Sequence, residues 1–312
     1  MTTKPTLLIV GSMALDSVKT PSGSVTAALG GAADYASVAA SFFSPVQLVG
    51  VVGSDFPQIH LDYLLSRNID LDGVEVVPDG KTFRWSGYYD FDLNVAHTLD
   101  TQLNVFADFR PDLPNDYRDA SYVFLANIDP DLQLEVLQQV KNPKLTMCDT
   151  MNFWIEGKRA SLIKVLEQVD IAVLNDAEAR QLTGLTSTLR AAKEIQNIGP
   201  KTVIIKKGEH GALLFDAEEH FSAPSYPVES IVDPTGAGDS FAGGFIGYIA
   251  SVDDVSALAF RKAVIYGSVL ASFNVEDFSL NRLRQLDSSQ INERYEEFRR
   301  IAAFDSLAGQ RM

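Results

Sequence analysis

The chain has 312 residues, 46% hydrophobic and 21% charged, enough for a large core in one or two domains. Its formal net charge of −15 argues against a body that tracks nucleic acid or an anionic membrane, so an anionic ligand would need backbone dipoles, a few cations or a metal. The single cysteine, Cys148 in "KLTMCD", excludes an intramolecular disulfide and a Cys-based zinc site, and its apolar setting predicts a buried thiol.

The chain opens on "MTTKPTLLIVG", whose apolar part is too short for a signal peptide. No run approaches the ~18 apolar residues of a membrane span, so the expectation is a soluble cytoplasmic protein. Residues 6–11 read as a strand, "GGAADYASVAASFF" (30–43) as a helix and "VQLVGVVG" (46–53) as a second strand. Residues 82–108 break the rhythm: aromatic and β-branched residues with "FDLN" as a turn predict two antiparallel strands, either a flap over a site or a plain edge hairpin. Strands follow at 122–127, 144–149, 171–175 and 202–208, separated by helical patterns at 130–140, 158–169 and 187–198. After residue 240 the pattern is helical, at 240–251, 257–275 and 289–304. Near-continuous apolar strands alternating with helices predict a mainly parallel, doubly wound α/β sheet with right-handed crossovers. No repeat, low-complexity tract or linker divides the chain.

"DPTGAGDS" (233–240) places two carboxylates around a small-residue turn just before an apolar helix. Unpaired N–H groups at a helix start, approached closely over Gly236 and Gly238, make an anion pocket. Asp239 then has two readings. It is either an ordinary cap or a base aimed at a hydroxyl that attacks a phosphorus held by those N–H groups. A Walker motif is absent, and the dinucleotide fingerprint fails because Phe241 stands where its third glycine belongs.

"DPTGAGDSFAGGF" resembles the C-terminal signature of the ribokinase-like, or PfkB, carbohydrate kinases. Further segments agree in order over roughly residues 6–280: "VGSMALD" with Asp16, "GGAADYASVAASF" with Gly30 and Gly31, "VGVVGSD", "LNDAEARQLTG" with Asn175 and Glu178, and "IIKKGEHGALLF". The resemblance implies one ribokinase-like α/β domain over 1–312, with a small β-sheet lid from about 12–24 and 80–108. It implies ATP-dependent phosphorylation of an alcohol with Mg²⁺. Asp239 would be the base, and the N–H groups of Gly236, Ala237 and Gly238 the anion hole. Asp16, Gly30, Gly31, Asp34 and Tyr35 would face the substrate. Asn175, Lys206, Lys207, Gly208, Gly211 and Thr235 would lie on the nucleotide side. Glu178 and Asn175 would help place Mg²⁺, and Asp233 marks where some relatives bind a monovalent cation such as K⁺. Flap strands in this family often pair between subunits, which implies a homodimer through the lid.

Tyr35 departs from the family, which has an asparagine there that touches the sugar. The phenol either contacts a ligand or packs the helix, and Asp34 either binds a hydroxyl or simply occupies the first helical turn. "KK" at 206–207 replaces a Thr and an apolar residue, and strand alternation lets only one of the two lysines face the ligand. Arg84 in the flap contacts substrate or pairs with a surface carboxylate. His60, His97, His210 and His220 lack metal-ligand spacing, and Trp85 and Trp154 read as packing. The expected function is a sugar kinase; a nucleoside kinase of the same chemistry and a non-catalytic sugar or nucleotide sensor stay open.

Overall fold

In a computed structural model, which describes residues 6–216 and 219–303, thirteen strands form two sheets. They are β1 (Leu7–Val10), β2 (Ala14–Thr20), β3 (Gly23–Gly30), β4 (Val46–Gly53), β5 (Ile69–Val77), β6 (Phe83–Tyr89), β7 (Ala96–Gln102), β8 (Tyr122–Leu125), β9 (Leu145–Asp149), β10 (Ile171–Asn175), β11 (Thr202–Lys206), β12 (Ala212–Phe215) and β13 (His220–Ala223). The nine-stranded sheet runs β13-β12-β11-β10-β9-β8-β1-β4-β5. Pairing is parallel from β11 to β5, and β12 and β13 add an antiparallel edge.

The apolar strands are covered on both faces, as their composition requires. In β1, Leu7 and Ile9 face one core while Leu8 and Val10 face the other, and all four are fully buried. The first core takes Val38, Phe245 and Val264 from the helices Ala32–Ala40, Ala237–Val252 and Ala257–Asn274. The second takes Leu132, Leu162 and Ile195 from Pro130–Leu137, Arg159–Leu166 and Thr188–Ile198. Cys148 lies inside this second layer, and burial, then Asp149, pushes its thiol far up, which agrees with an inert cysteine.

Helices Ala32–Ala40 and Ala237–Val252 touch backbone to backbone. A Cβ on Gly243 would stand 2.1 Å from the Ala36 carbonyl oxygen, so only glycine permits this approach. The Asp239 helix is thereby pressed against the helix that carries Asp34 and Tyr35.

The smaller sheet runs β3-β2-β6-β7. β6 and β7 are antiparallel, as the 82–108 pattern predicts, and the turn between them holds Leu93 at φ 56°. β2 pairs with β6 in parallel, which sets Asp16 beside Trp85. Helix Gln58–Ser66 and edge strand β5 were not legible, because "IDLDGVEVV" mixes acidic residues into a mostly uncovered strand. The last helix is Ser288–Ala302; residue 304 of its expected span and residues 1–5 of the leader reading lie outside the described residues. No described helix is long and apolar enough to cross a membrane.

Candidate active site

The 233–240 loop is fastened from several sides. Asp233 is fully buried and accepts the N–H groups of Thr235 (2.9 Å) and Ser279 (3.4 Å). The Val232 N–H donates to the Val275 carbonyl at 2.7 Å. Asn274, also fully buried, donates its amide to the Thr235 carbonyl (2.8 Å) and accepts from the Ser240 hydroxyl (3.2 Å). Gly236 sits at φ 75°, and a Cβ there would stand 2.3 Å from Tyr35 Cδ1. The Ala237 N–H is spent on the Pro234 carbonyl at 3.2 Å. Among the described residues the N–H groups of Gly236 and Gly238 have no acceptor, so the open cradle is narrower than the three amides expected.

Asp239 lies in the first turn of Ala237–Val252 and keeps partial solvent access. Burial, then Asp149, lifts its carboxyl to about 7, against the pull of Lys206. A group poised there can take a proton near neutrality.

On the side where the acceptor is expected, Asp16 is buried in β2 and accepts the Gly31 N–H at 3.4 Å. A Cβ on Gly30 would overlap its carboxylate, so this position must stay bare. Burial raises Asp16 to about 7 over the Gly31 hydrogen bond, and Asp233 and Asp239 add to the rise, which places all three in one field. Asp34 is fully buried, and burial, then Asp16, holds it well above its usual range against the pull of the Ala14 N–H. Tyr35 is fully buried against Gly236, and its hydroxyl has no hydrogen-bond partner among the described residues. Burial, then Asp16, Asp233 and Asp239, raises that phenol.

Tyr89 was not singled out from the sequence. It ends β6, accepts a hydrogen bond from the Thr235 hydroxyl at 3.3 Å, and is raised to about 12 by burial, then by Asp233, Asp16 and Asp239 against that bond. The smaller sheet therefore reaches the signature loop through this phenol and through Thr20, whose hydroxyl donates to the Val232 carbonyl at 2.8 Å. Its only sequence signal was the aromatic density of 82–108.

The residues expected on the nucleotide side gather at the C-terminal end of the parallel strands. Asp149, Asn175 and Lys206 are the last residues of the adjacent strands β9, β10 and β11, where ligands sit in open α/β sheets. Asn175 and Glu178 form a capping box: the Asn175 side chain accepts the Glu178 N–H (2.8 Å), and Glu178 accepts the Asn175 N–H (2.7 Å). Burial, then Asp149, lifts Glu178 to about 7. Lys206 is bonded to Asp149 at 2.6 Å. Lys207 gives its N–H to the Gly211 carbonyl (2.8 Å), and its ammonium has no partner among the described residues. Gly208 and Gly211 turn the chain at φ 54° and 84°, and Asn94 at the β6–β7 turn lies 3.8 Å from where a Gly208 Cβ would sit.

Other residues lie elsewhere. Arg84 is paired with Asp55 at 2.7 Å, its surface-partner reading. Trp85 donates to Thr98 and Trp154 to Asn127. His97 pairs with Asp90 at 2.9 Å, and His60 contacts Arg284. Among the described residues no three His, Cys, Asp or Glu side chains form a ready-made metal cage.

Asp16, Glu178 and Asp239 all hold protons more tightly than in the unfolded chain. Their stabilising contribution is complete below about 4 and disappears as pH rises through about 7. The unliganded protein is therefore expected to have a higher Tm at about pH 5 than at about pH 8. A Tm that is flat or rises over that window would remove the cluster as a titrating unit.

The model of the pfkB family of carbohydrate kinases matches residues 7–284. The chain belongs to that family. This pfkB kinase is 34% identical over 244 residues to a cytidine kinase of Thermococcus kodakarensis, covering 77% of this chain and 87% of that protein. Its fold matches a nucleoside kinase of Burkholderia thailandensis in complex with inosine (TM-score 0.75, 22% identity, 93% and 98% of the two chains). It also matches an E. coli protein described as a ribokinase II in complex with ATP and Mg²⁺ (TM-score 0.78, 20% identity, 94% and 99%). The architecture is thus ribokinase-like, a large mostly parallel sheet with flanking helices and a second small sheet. The chain is a kinase of the sugar or nucleoside class.

Proposed function

We propose that this pfkB kinase transfers the γ-phosphoryl group of ATP to a hydroxyl of a pentose-bearing acceptor, a nucleoside in preference to a free sugar. The observation that carries the reading is the pairing of Asp239, poised near neutrality, with the unspent Gly236 and Gly238 amides on the same turn. Asp239 takes the acceptor proton as the hydroxyl oxygen bonds to phosphorus; the bond from phosphorus to the bridging oxygen breaks and ADP leaves. The two amides steady charge on the transferring group. A non-catalytic sensor would need no such base.

Mg²⁺ fits the nucleotide side. Asp149, Glu178 and Asp239 share one ammonium, so this end of the strands is short of positive charge, and Glu178 has an oxygen outside the capping box. With no ready-made cage among the described residues, Glu178 and Asn175 would act largely through water, as suits this ion. Bound Mg²⁺ would neutralise phosphate charge. Both oxygens of Asp233 already hold backbone N–H groups, so any monovalent cation there would share them.

Asp16, Asp34 and the Tyr35 hydroxyl supply hydroxyl-binding groups on the acceptor side. The 34% identity to a cytidine kinase and the aromatic residue at position 35 favour a nucleoside over a free sugar. Assays of ADP release with cytidine, adenosine, inosine, ribose and fructose separate the two. Tyr35→Phe keeps the ring against Gly236 and removes only the hydroxyl. It is expected to lower kcat/KM for the preferred acceptor about 10-fold or more, with KM for ATP unchanged. Equal effects on both would assign Tyr35 to stability alone.

A further inference from the structure

Lys206 stands between two anionic environments. Its ammonium lies 2.6 Å from Asp149 Oδ2, and a Cβ on Gly238 would be 3.0 Å from it, so it touches the rim of the amide cradle. Asp149 is fixed: its side chain is 3% exposed, and its other oxygen holds the Thr150 N–H at 2.8 Å. Lysine, on a flexible four-carbon stem, is the partner that can move. Burial opposes its charge, yet Asp149, then Glu178 and Asp239, hold it protonated. A buried pair of this kind is weak evidence for stability, because desolvation offsets much of the attraction. Among the described residues, Lys206 is the cation recorded against Gly238 of the cradle.

We infer that Lys206 contacts the terminal phosphoryl group and that Asp149 is its resting partner. When a triphosphate enters, the ammonium shifts from Asp149 to the phosphoryl oxygens beside Gly238. With a diphosphate it stays on Asp149. The pair therefore sets the preference for ATP over ADP and assists product release. This inference rests on the kinase reading above, but its test does not require turnover.

The test is calorimetric binding of ATP, ADP and adenosine to the intact chain without acceptor, with thermal unfolding recorded for every variant. Lys206→Met is expected to weaken ATP roughly 10–100-fold while changing adenosine less than about 3-fold, so the ATP-over-ADP preference collapses. Lys206→Arg is expected to retain most of that preference. Asp149→Asn, which frees the ammonium, is expected to bind ATP at least as tightly as the unaltered chain. The double variant Asp149→Asn/Lys206→Met removes both buried charges and keeps the fold testable; it is expected to lack the preference. If Lys206→Met or the double variant keeps an ATP-over-ADP ratio within about 2-fold of the unaltered chain, Lys206 is only a structural counter-ion. Preference lost in Lys206→Met, with none of the tested acceptors phosphorylated by the unaltered chain, would sustain this inference and overturn the pentose-acceptor reading. No nucleotide binding by the unaltered chain overturns both.

Discussion

Asp239→Asn is expected to lower kcat about 10²–10⁴-fold while leaving ATP affinity within about 3-fold. The amide preserves size and the first-turn position but cannot accept the acceptor proton. Burial and Asp149 hold the carboxyl at about 7, so the unaltered enzyme should also lose kcat/KM as pH falls below neutrality, when the base is protonated. The variant should lack that limb. Single-turnover rates with saturating ATP, alongside calorimetric ATP binding, are the measurement. A folded variant with unchanged turnover would strip Asp239 of its role, and loss of ATP binding in parallel would make it a nucleotide-site residue instead.

The second large effect is expected at Gly236. Its φ of 75° strains any L side chain by about 1 kcal/mol or more, and an alanine Cβ would meet the Tyr35 ring at 2.3–2.4 Å. Tyr35 cannot yield freely, because it is fully buried. Gly236→Ala is therefore expected to destabilise the fold by about 2–4 kcal/mol and to abolish activity in whatever fraction stays folded. Denaturant unfolding together with the kinase assay measures both. Gly238→Ala is the contrast: its Cβ would meet only the end of the Lys206 side chain, at 3.0 Å, so stability should hold while phosphoryl binding suffers. A Gly236→Ala protein as stable as the original would mean that the Tyr35 contact is loose.

The alternating apolar runs made the parallel sheet legible, because strands covered on both faces leave little choice of composition. Where a strand is poorly covered, as in β5, acidic residues hid it. The site was legible where chemistry demands a particular local backbone, as at Gly236 and the Asn175–Glu178 box. It was not legible where residues meet only through the fold. Asp149 reads as the end of one more strand until β9, β10 and β11 lie side by side, and Asn274 reads as a helix residue until it clasps Thr235 and Ser240. The Ala237 amide, expected in the anion hole, is taken by a turn that sequence cannot display. Arg84 carries a charge to the flap, but whether Asp55 lies within reach depends on the loop after β4.

The contact between Gly243 and Ala36 joins the wall proposed to meet the acceptor to the helix that carries the proposed base. The two cannot drift apart or slide independently, so selectivity and turnover are inherited as one rigid unit. A change at Tyr35 made to admit a new alcohol would be felt at once by Gly236 and, one turn on, by Asp239. Retargeting this enzyme should therefore need paired substitutions across the two helices.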